Sequence, residues 1–140
     1  MLDINKQNMK YSRQGEKFKI YDRDKNGNIR YIEVDGERIP VVLRETTGYS
    51  EPVLFSANIS NKLSEVLVKE FGIDDSSSYC QIVTDKGYLP IKAGDVIWKK
   101  SDVGRDSDGL VDDKTADYVV KGVADEGLTV DLFLLQKTVK

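Results

Sequence analysis

Short runs of alternating apolar and polar residues dominate this chain. Such alternation turns one side of a half-buried strand towards a core. The runs cover residues 17–20, 28–35, 38–43, 53–59, 79–84, 117–123 and 128–136, and a short apolar run at 96–98 also predicts a strand. In the run of residues 128–136, one face carries Leu128, Val130, Leu132 and Leu134. The pattern predicts a mainly β fold of about seven strands, arranged as a small barrel or sandwich.

Turn residues separate the first runs. Asn26 and Gly27 lie between two alternating segments and predict a hairpin, because both residues tolerate a positive φ. Asp35 and Gly36 mark a second turn in the same way. Pro40 lacks a backbone N–H and therefore predicts a strand edge or entry point rather than a central position.

One segment has helical rather than strand spacing. Its apolar positions, which fall on one helical face, are Leu63, Val66, Leu67 and Phe71. This spacing predicts a single inserted helix over residues 61–71, with long loops elsewhere. Ser60 or Asn61 is expected to cap its start, and Gly72 to close its end.

Two polar segments fall outside these elements. Residues 1–16 are expected to form a flexible or partner-ordered N-terminal arm, which leaves residues 17–140 as one β-rich domain. Residues 99–114 contain five aspartates and exceed the usual length of a connection. We expect them to form an exposed loop that is functional or ordered by a partner.

Composition narrows the function classes. The chain has 140 residues, a net charge of -3 and no histidine. A duplex-binding module usually has a basic surplus, and histidine is the usual general base and metal ligand near neutral pH. The single cysteine, Cys80, cannot form an intramolecular disulfide, and its strand context is typical of a packed thiol. We therefore expect no enzymatic activity and no cofactor.

The sharpest motif matches a calcium-binding loop. The candidate ligands are Asp22, Asp24, Asn26 and Glu33, with Gly27 at the sharp turn. An EF-hand needs a helix on each side, whereas these flanks alternate like strands. An extended residue 28–34 segment would also hold Glu33 away from Asp22. We interpret the segment as a charged hairpin tip without metal, and calcium binding remains the alternative.

Other candidate sites have simpler explanations. The acidic cluster in the long loop, which matches no known ligand spacing, consists of Asp102, Asp106, Asp108, Asp112 and Asp113. No carboxylate pair is marked for glycoside hydrolysis, and Trp98 lies in a strand pattern typical of core or interface packing. Basic residues beside Phe18 and Tyr31 leave a small barrel that binds single-stranded nucleic acid as a further alternative.

Several segments together resemble one family. They are residues 11–16 (Tyr-Ser-Arg-Gln-Gly-Glu), 21–31 (Tyr-Asp-Arg-Asp-Lys-Asn-Gly-Asn-Ile-Arg-Tyr), 55–60 (Phe-Ser-Ala-Asn-Ile-Ser), 93–98 (Ala-Gly-Asp-Val-Ile-Trp) and 116–127 (Ala-Asp-Tyr-Val-Val-Lys-Gly-Val-Ala-Asp-Glu-Gly). The series resembles the small head–tail connector proteins of tailed phages and prophages of Gram-positive bacteria. Residues 94–97 and 117–123 are similar to the late strands of head-closure, or stopper, proteins.

The resemblance implies a structural virion protein without catalysis. It implies a stopper ring subunit below the portal and adaptor, with a tail-completion or tail-terminator protein as the alternative within a phage. A calcium- or ligand-binding β module is the alternative from a different class. Expected partners are further copies of the chain, the portal or adaptor and tail proteins, with packaged DNA nearby and no membrane. We expect it in the host cytoplasm during assembly and then in the virion.

The resemblance also implies which loops meet neighbours. By analogy, residues 103–115 or the hairpin of residues 22–28 project from the ring. The interface candidates are then Asp24, Lys25, Asn26, Arg105, Asp106 and Asp108. The negative net charge suits a channel wall that does not hold passing DNA.

Overall fold

A computed structural model describes residues 6–73, 76–127 and 129–139. The predicted mainly β fold with one helix is confirmed. Its elements are β1 (Gln7–Ser12), β2 (Gln14–Tyr21), β3 (Tyr31–Val34), β4 (Glu37–Pro40), β5 (Val42–Tyr49), β6 (Val53–Ser60), α1 (Glu65–Phe71), β7 (Tyr79–Asp85), β8 (Val96–Trp98), β9 (Gly104–Arg105), β10 (Val111–Asp112), β11 (Tyr118–Ala124) and β12 (Val130–Lys137). Short 3-10 helices lie at Ser76–Ser78 and Asp113–Thr115.

Six of the strands close into a barrel, in the order β1-β6-β7-β12-β11-β8. Every neighbouring pair is antiparallel, and the longest regular ladder joins β7 to β12 from Asp85 opposite Val130 to Tyr79 opposite Gln136. The main core fills this barrel and includes Met9, Phe55, Ile82, Phe133 and Leu135. Because the sheet closes on itself, the barrel offers no free edge to another strand.

Strand β8 is buried on both faces, which explains its unbroken run of apolar residues. Ile97 belongs to the barrel core, whereas Val96 and Trp98 pack in a second cluster with Val111. Residues 99–116, named here the covering loop, lie over this outer face of the barrel. The predicted exposed loop is therefore wrong for Val111, which packs against β8, and correct for residues 105–109 at its tip. The prediction that Trp98 packs in a core or an interface is confirmed, since Trp98 is buried.

The predicted N-terminal arm is wrong for residues 7–16. Strand β1 pairs with both β6 and β8, and it buries Met9, Tyr11 and Ser12. Polar residues lie between these buried positions. Because the segment is polar on average, its sequence alone resembles a flexible tail rather than a strand. The remaining part of that prediction, residues 1–5, lies outside the described residues.

The helix starts later than its apolar spacing predicts. Ser64, rather than Ser60 or Asn61, is the N-cap residue, and its backbone N–H donates to Gln81 Oε1 over 2.7 Å. Gly72 closes the helix as predicted, with a φ of 62°. Within the described residues, no helix has the length and apolar character needed to cross a membrane.

The two faces of β12 have different roles. Phe133 and Leu135 point into the barrel core, whereas Leu134 is buried on the opposite face. The predicted apolar face, which continues through Val130 and Leu132, is therefore the outer face of the barrel and lies beside α1. Leu128, the first member of that predicted face, falls outside the described residues.

Candidate assembly surface

A second β structure leaves the barrel between β1 and β6. Strands β2 and β5 form a two-stranded ribbon, and β3 and β4 form a hairpin at its far end. We name residues 14–49 the arm and the β3–β4 unit the tip hairpin. This arm is a different feature from the N-terminal arm that was predicted for residues 1–16. In the described structure, the tip hairpin hydrogen-bonds to no strand of the barrel.

The predicted turns both lie in the arm, but they join different strands. The turn of Asp35 and Gly36 connects β3 to β4, with φ values of 53° and 83°. The Asn26-Gly27 turn closes a separate small loop, whose two sides meet in a bridge between Arg23 and Ile29. The predicted hairpin of residues 17–20 with residues 28–35 is therefore wrong, because β2 pairs with β5 instead.

The buried carboxylate of Asp95 anchors the base of the arm. Its Oδ1 accepts the backbone N–H of Gln14 and its Oδ2 accepts that of Lys92, both over 2.9 Å. Beside it, the Gln14 side-chain amide donates to the carbonyl of Ala93 over 2.9 Å. A Cβ at Gly94 would lie 2.1 Å from Gln14 Nε2, and the φ of 96° also favours glycine. The arm therefore leaves the barrel at a defined place.

Two serines close the same base. Ser12 Oγ donates to the carbonyl of Ser50 over 2.7 Å, and Ser50 Oγ accepts the backbone N–H of Arg13 over 2.9 Å. The Ser50 N–H in turn donates to the carbonyl of Arg13 over 2.9 Å. These bonds join the strand that enters the arm to the segment that leaves it.

The covering loop forms ion pairs with the arm and with the segment that follows it. The guanidinium of Arg44 pairs with the carboxylate of Asp108, and that of Arg105 pairs with Glu51 through two hydrogen bonds. The side-chain hydrogen bond from Arg105 lowers the pKa of Glu51. Because these pairs are exposed, they orient the loop more than they stabilise the fold. Residues 103–115 therefore lie against the rest of the chain in the described structure, and their projection from a ring stays a prediction.

The loop at the end of the arm is held by its own polar groups. Asp24 Oδ1 accepts the backbone N–H groups of Asn26 and Asn28 over 2.9 and 3.0 Å. The N–H of Gly27 donates to the carbonyl of Asp24, and Arg23 Nη1 donates to the carbonyl of Gly27 over 2.7 Å.

The tip of the covering loop repeats this geometry. Asp106 Oδ1 accepts the backbone N–H groups of Asp108 and Leu110 over 2.9 and 3.0 Å. The N–H of Gly109 donates to the carbonyl of Asp106, and Arg105 Nη1 donates to the carbonyl of Gly109 over 3.1 Å. Both turns share the sequence Arg-Asp-x-x-Gly, a similarity that sequence reasoning missed because it spans only five residues.

The candidate calcium ligands are not gathered around one point. One oxygen of Asp24 is engaged by backbone N–H groups, and Asp22 Oδ2 lies 3.7 Å from Arg30 Nε. Glu33 belongs to β3, where it lies opposite Arg38. Across the described ranges, no group of three or more acidic, cysteine or histidine side chains is placed to hold a metal ion. This geometry favours the charged-turn interpretation.

The arm carries most of the exposed large apolar side chains. Of the eleven such residues in the described part of the chain, six fall between positions 31 and 43: Tyr31, Ile32, Val34, Ile39, Val42 and Leu43. The alternation of this segment predicts strands with one buried face. Within the described residues, that face is exposed instead.

The two faces of the tip hairpin differ. Ile32 lies directly opposite Ile39, and Val34 shares their face by strand alternation. On the other face, the Arg38 guanidinium carbon lies 4.4 Å from the centre of the Tyr31 ring. This cation–π contact gives the second face a partner within the hairpin, whereas the aliphatic face stays exposed.

An apolar groove lies on the outer surface beside α1. Its volume is about 270 Å³, and its aliphatic lining consists of Val66, Ala124, Val130 and Leu132. Glu70 and Glu126 also line it. We name this feature the outer groove.

The predicted interface residues divide between the two similar turns. Asp24, Lys25 and Asn26 lie at the end of the arm, whereas the other three lie at the tip of the covering loop, where Asp108 contacts the arm. No protein-family model, curated protein or solved structure gives a significant match to this chain. The candidate surface therefore rests on the geometry of the arm and the groove.

Proposed function

We propose that this protein is a structural subunit of the head–tail connector of a tailed phage, in the position of a stopper ring below the portal and adaptor. The observation that carries the proposal is the arm, which ends in an exposed aliphatic hairpin. Contiguous apolar surface on a soluble protein marks a contact with another macromolecule. A connector subunit meets copies of itself and proteins above and below it, so it needs such a surface.

Three further features support this assignment. The barrel is closed, so its own strands offer no free edge, and assembly must use the arm, the loops or the outer faces. Hydrogen bonds to Asp95 and Ser50 hold the base of the arm in a fixed position on the barrel. The similarity of several segments to stopper proteins then selects a connector among the assemblies that such a surface could serve.

The experiment removes the gene from the phage or prophage that encodes it and images the resulting particles. A stopper subunit predicts heads that fail to hold DNA and tails of normal length that remain unattached. Tails of abnormal length would instead indicate a tail terminator. Intact infectious particles would contradict a connector role of either kind.

A complementation series tests whether the arm carries that role. Ile32→Asp in the tip hairpin is expected to prevent rescue, because it places a charge on the contact face. Leu54→Asp is the matched control, since Leu54 is 68% exposed on the barrel rather than on the hairpin. Equal rescue by both variants would show that the tip hairpin is not the assembly surface.

A further inference from the structure

We propose that the tip hairpin of one copy seats in the outer groove of a second copy, so that copies join head to tail. This inference rests on the proposed function, because a connector ring requires a repeated contact between copies. It adds the identity of the two surfaces that meet.

The hairpin supplies an unpartnered aliphatic face. Ile32, Val34 and Ile39 are 54%, 46% and 40% exposed, and their strands bond only to each other in the described structure. An isolated two-stranded hairpin is at best marginally stable in water. Covering this face would remove apolar surface from water and hold the hairpin in place.

The amount of apolar surface suits an interface between proteins. The three residues of the aliphatic face, Ile32, Val34 and Ile39, present roughly 250 Å² at their observed exposures. A standard interface buries about 800 Å² on each partner, of which about 56% is apolar. The aliphatic face thus supplies roughly half of the apolar area of one side.

The groove supplies an aliphatic surface of matching chemistry. Four aliphatic residues line it, and one of them, Val66, is 54% exposed on α1. Its volume of about 270 Å³ accommodates branched side chains such as those of Ile32 and Ile39. The groove contains no lysine or arginine in its lining, so an aliphatic side chain displaces no buried base.

The barrel topology places the two surfaces on different sides of the molecule. The arm leaves from β1 and β6, and the groove is formed on β12 and β11. In the closed order of six strands, β1 stands three positions from β12 and β6 three positions from β11. Because Asp95 fixes the base of the arm, a hairpin reaches the groove of another copy rather than its own. A contact between two unlike surfaces builds a ring when its rotation closes.

A disulfide trap tests this contact in the full chain. The variants are Ile39→Cys in the hairpin and Val66→Cys in the groove. The native thiol does not interfere, since Cys80 is fully buried. Equal amounts of the two proteins, oxidised at high concentration, are expected to give the mixed dimer in about tenfold excess over either homodimer, because seating raises the effective thiol concentration. A chain with both changes should form a ladder of larger species.

Two controls separate seating from random collision. Adding Ile32→Asp to the hairpin variant should reduce the mixed dimer to the statistical yield. Leu54→Cys, which lies outside both surfaces, should give only that yield with either partner. A mixed dimer at the statistical yield would overturn the proposal. A predominant Ile39→Cys homodimer would also overturn it, since it would indicate a symmetric hairpin-to-hairpin contact.

The disulfide trap and the imaging of particles test the contact and the connector role separately. If the mixed dimer forms selectively but the protein is absent from the head–tail junction, the contact is supported and the connector role is rejected. Density for the protein at the head–tail junction of particles, together with a mixed dimer at the statistical yield, would support the connector role and reject this contact.

Discussion

At the scale of single residues, aspartates hold the backbone where apolar alternation stops. Asp117 accepts the N–H groups of Lys99, Lys100 and Ser101 on one oxygen and the Ser101 hydroxyl on the other. It thereby fixes the start of the covering loop, as Asp95 fixes the base of the arm. Carboxylates suit this role because two oxygens can accept several donors at once.

The hydrogen-bonded carboxylate of Asp117 should make the free energy of unfolding depend on pH. Burial raises its pKa, but the hydrogen bonds from Ser101, Lys99 and Lys100 outweigh burial and lower the pKa well below its usual range. The stabilisation is therefore complete above the unfolded pKa of about 4 and is lost as the pH falls below it. We expect Asp117→Asn to lower the free energy of unfolding at pH 7 by about 2 kcal/mol.

Urea denaturation at a series of pH values checks this prediction. The difference between the natural protein and Asp117→Asn should shrink below pH 4, because protonation weakens the same hydrogen bonds in the natural protein. Asp102→Asn, an exposed aspartate in the same loop, is the control. A difference that stays constant over the whole pH range would contradict the assignment.

At the scale of elements, α1 depends on one glycine of the barrel wall. A Cβ at Gly122 would lie 2.2 Å from Cε1 of Phe71, the last residue of the helix. The aromatic ring thus packs directly on the backbone of β11. Elsewhere, Leu67 is fully buried and completes the contact face of the helix.

We expect Gly122→Ala to destabilise the protein by about 1–3 kcal/mol, because the added methyl group displaces the ring. Thermal or urea unfolding measures this cost. The Phe71→Leu background provides the test of mechanism, since a smaller side chain should accommodate the methyl group and reduce the cost. Equal costs in both backgrounds would show that another contact is responsible.

Unlike the contact between α1 and Gly122, the tip hairpin should contribute little to the stability of the fold. Replacing residues 31–40 with a short glycine linker should change the free energy of unfolding by less than about 1 kcal/mol, because these residues add no strand to the barrel. The linker is sterically reasonable, since the N–H of Val41 already donates to the carbonyl of Arg30 over 2.9 Å. Urea denaturation provides the measurement, and a large loss of stability would indicate that the hairpin supports the barrel.

At the scale of the whole molecule, barrel closure isolates the interior from solvent. Cys80 is fully buried, and burial raises the pKa of its thiol to about 11. A thiol reagent at pH 8 should therefore react only after the barrel opens. We expect labelling to rise at the same urea concentration as the loss of circular dichroism, as in a two-state transition. Rapid labelling in the absence of urea would show local opening of β7.

The assembly proposals belong to the same scale. A closed barrel with an arm on one side and an apolar groove on the other has two unlike contact surfaces. Such a subunit needs no free strand edge in order to assemble. Its neighbours are instead selected by how well side chains fit.

Local sequence information was sufficient for several strands that bury one face, although not for β1. The alternation in residues 53–59, 79–84 and 117–123 agrees closely with β6, β7 and β11. The positive φ of Gly72 and Gly36 also followed from residue type. By contrast, residues 28–30 and Val41 were assigned to strands although they belong to turns and junctions, because branched residues occur in both.

The sequence by itself determined the mainly β class, the single helix, the packed thiol and the chemistry of the turns, because each depends on neighbours along the chain. Only the tertiary structure decided that β1 belongs to the barrel, that β2 pairs with β5, and that a polar loop covers β8. It also revealed the aliphatic face of Ile32 and Ile39 as uncovered. Pairing and burial depend on residues distant in the sequence, and apolar alternation is the same whether or not a partner covers it.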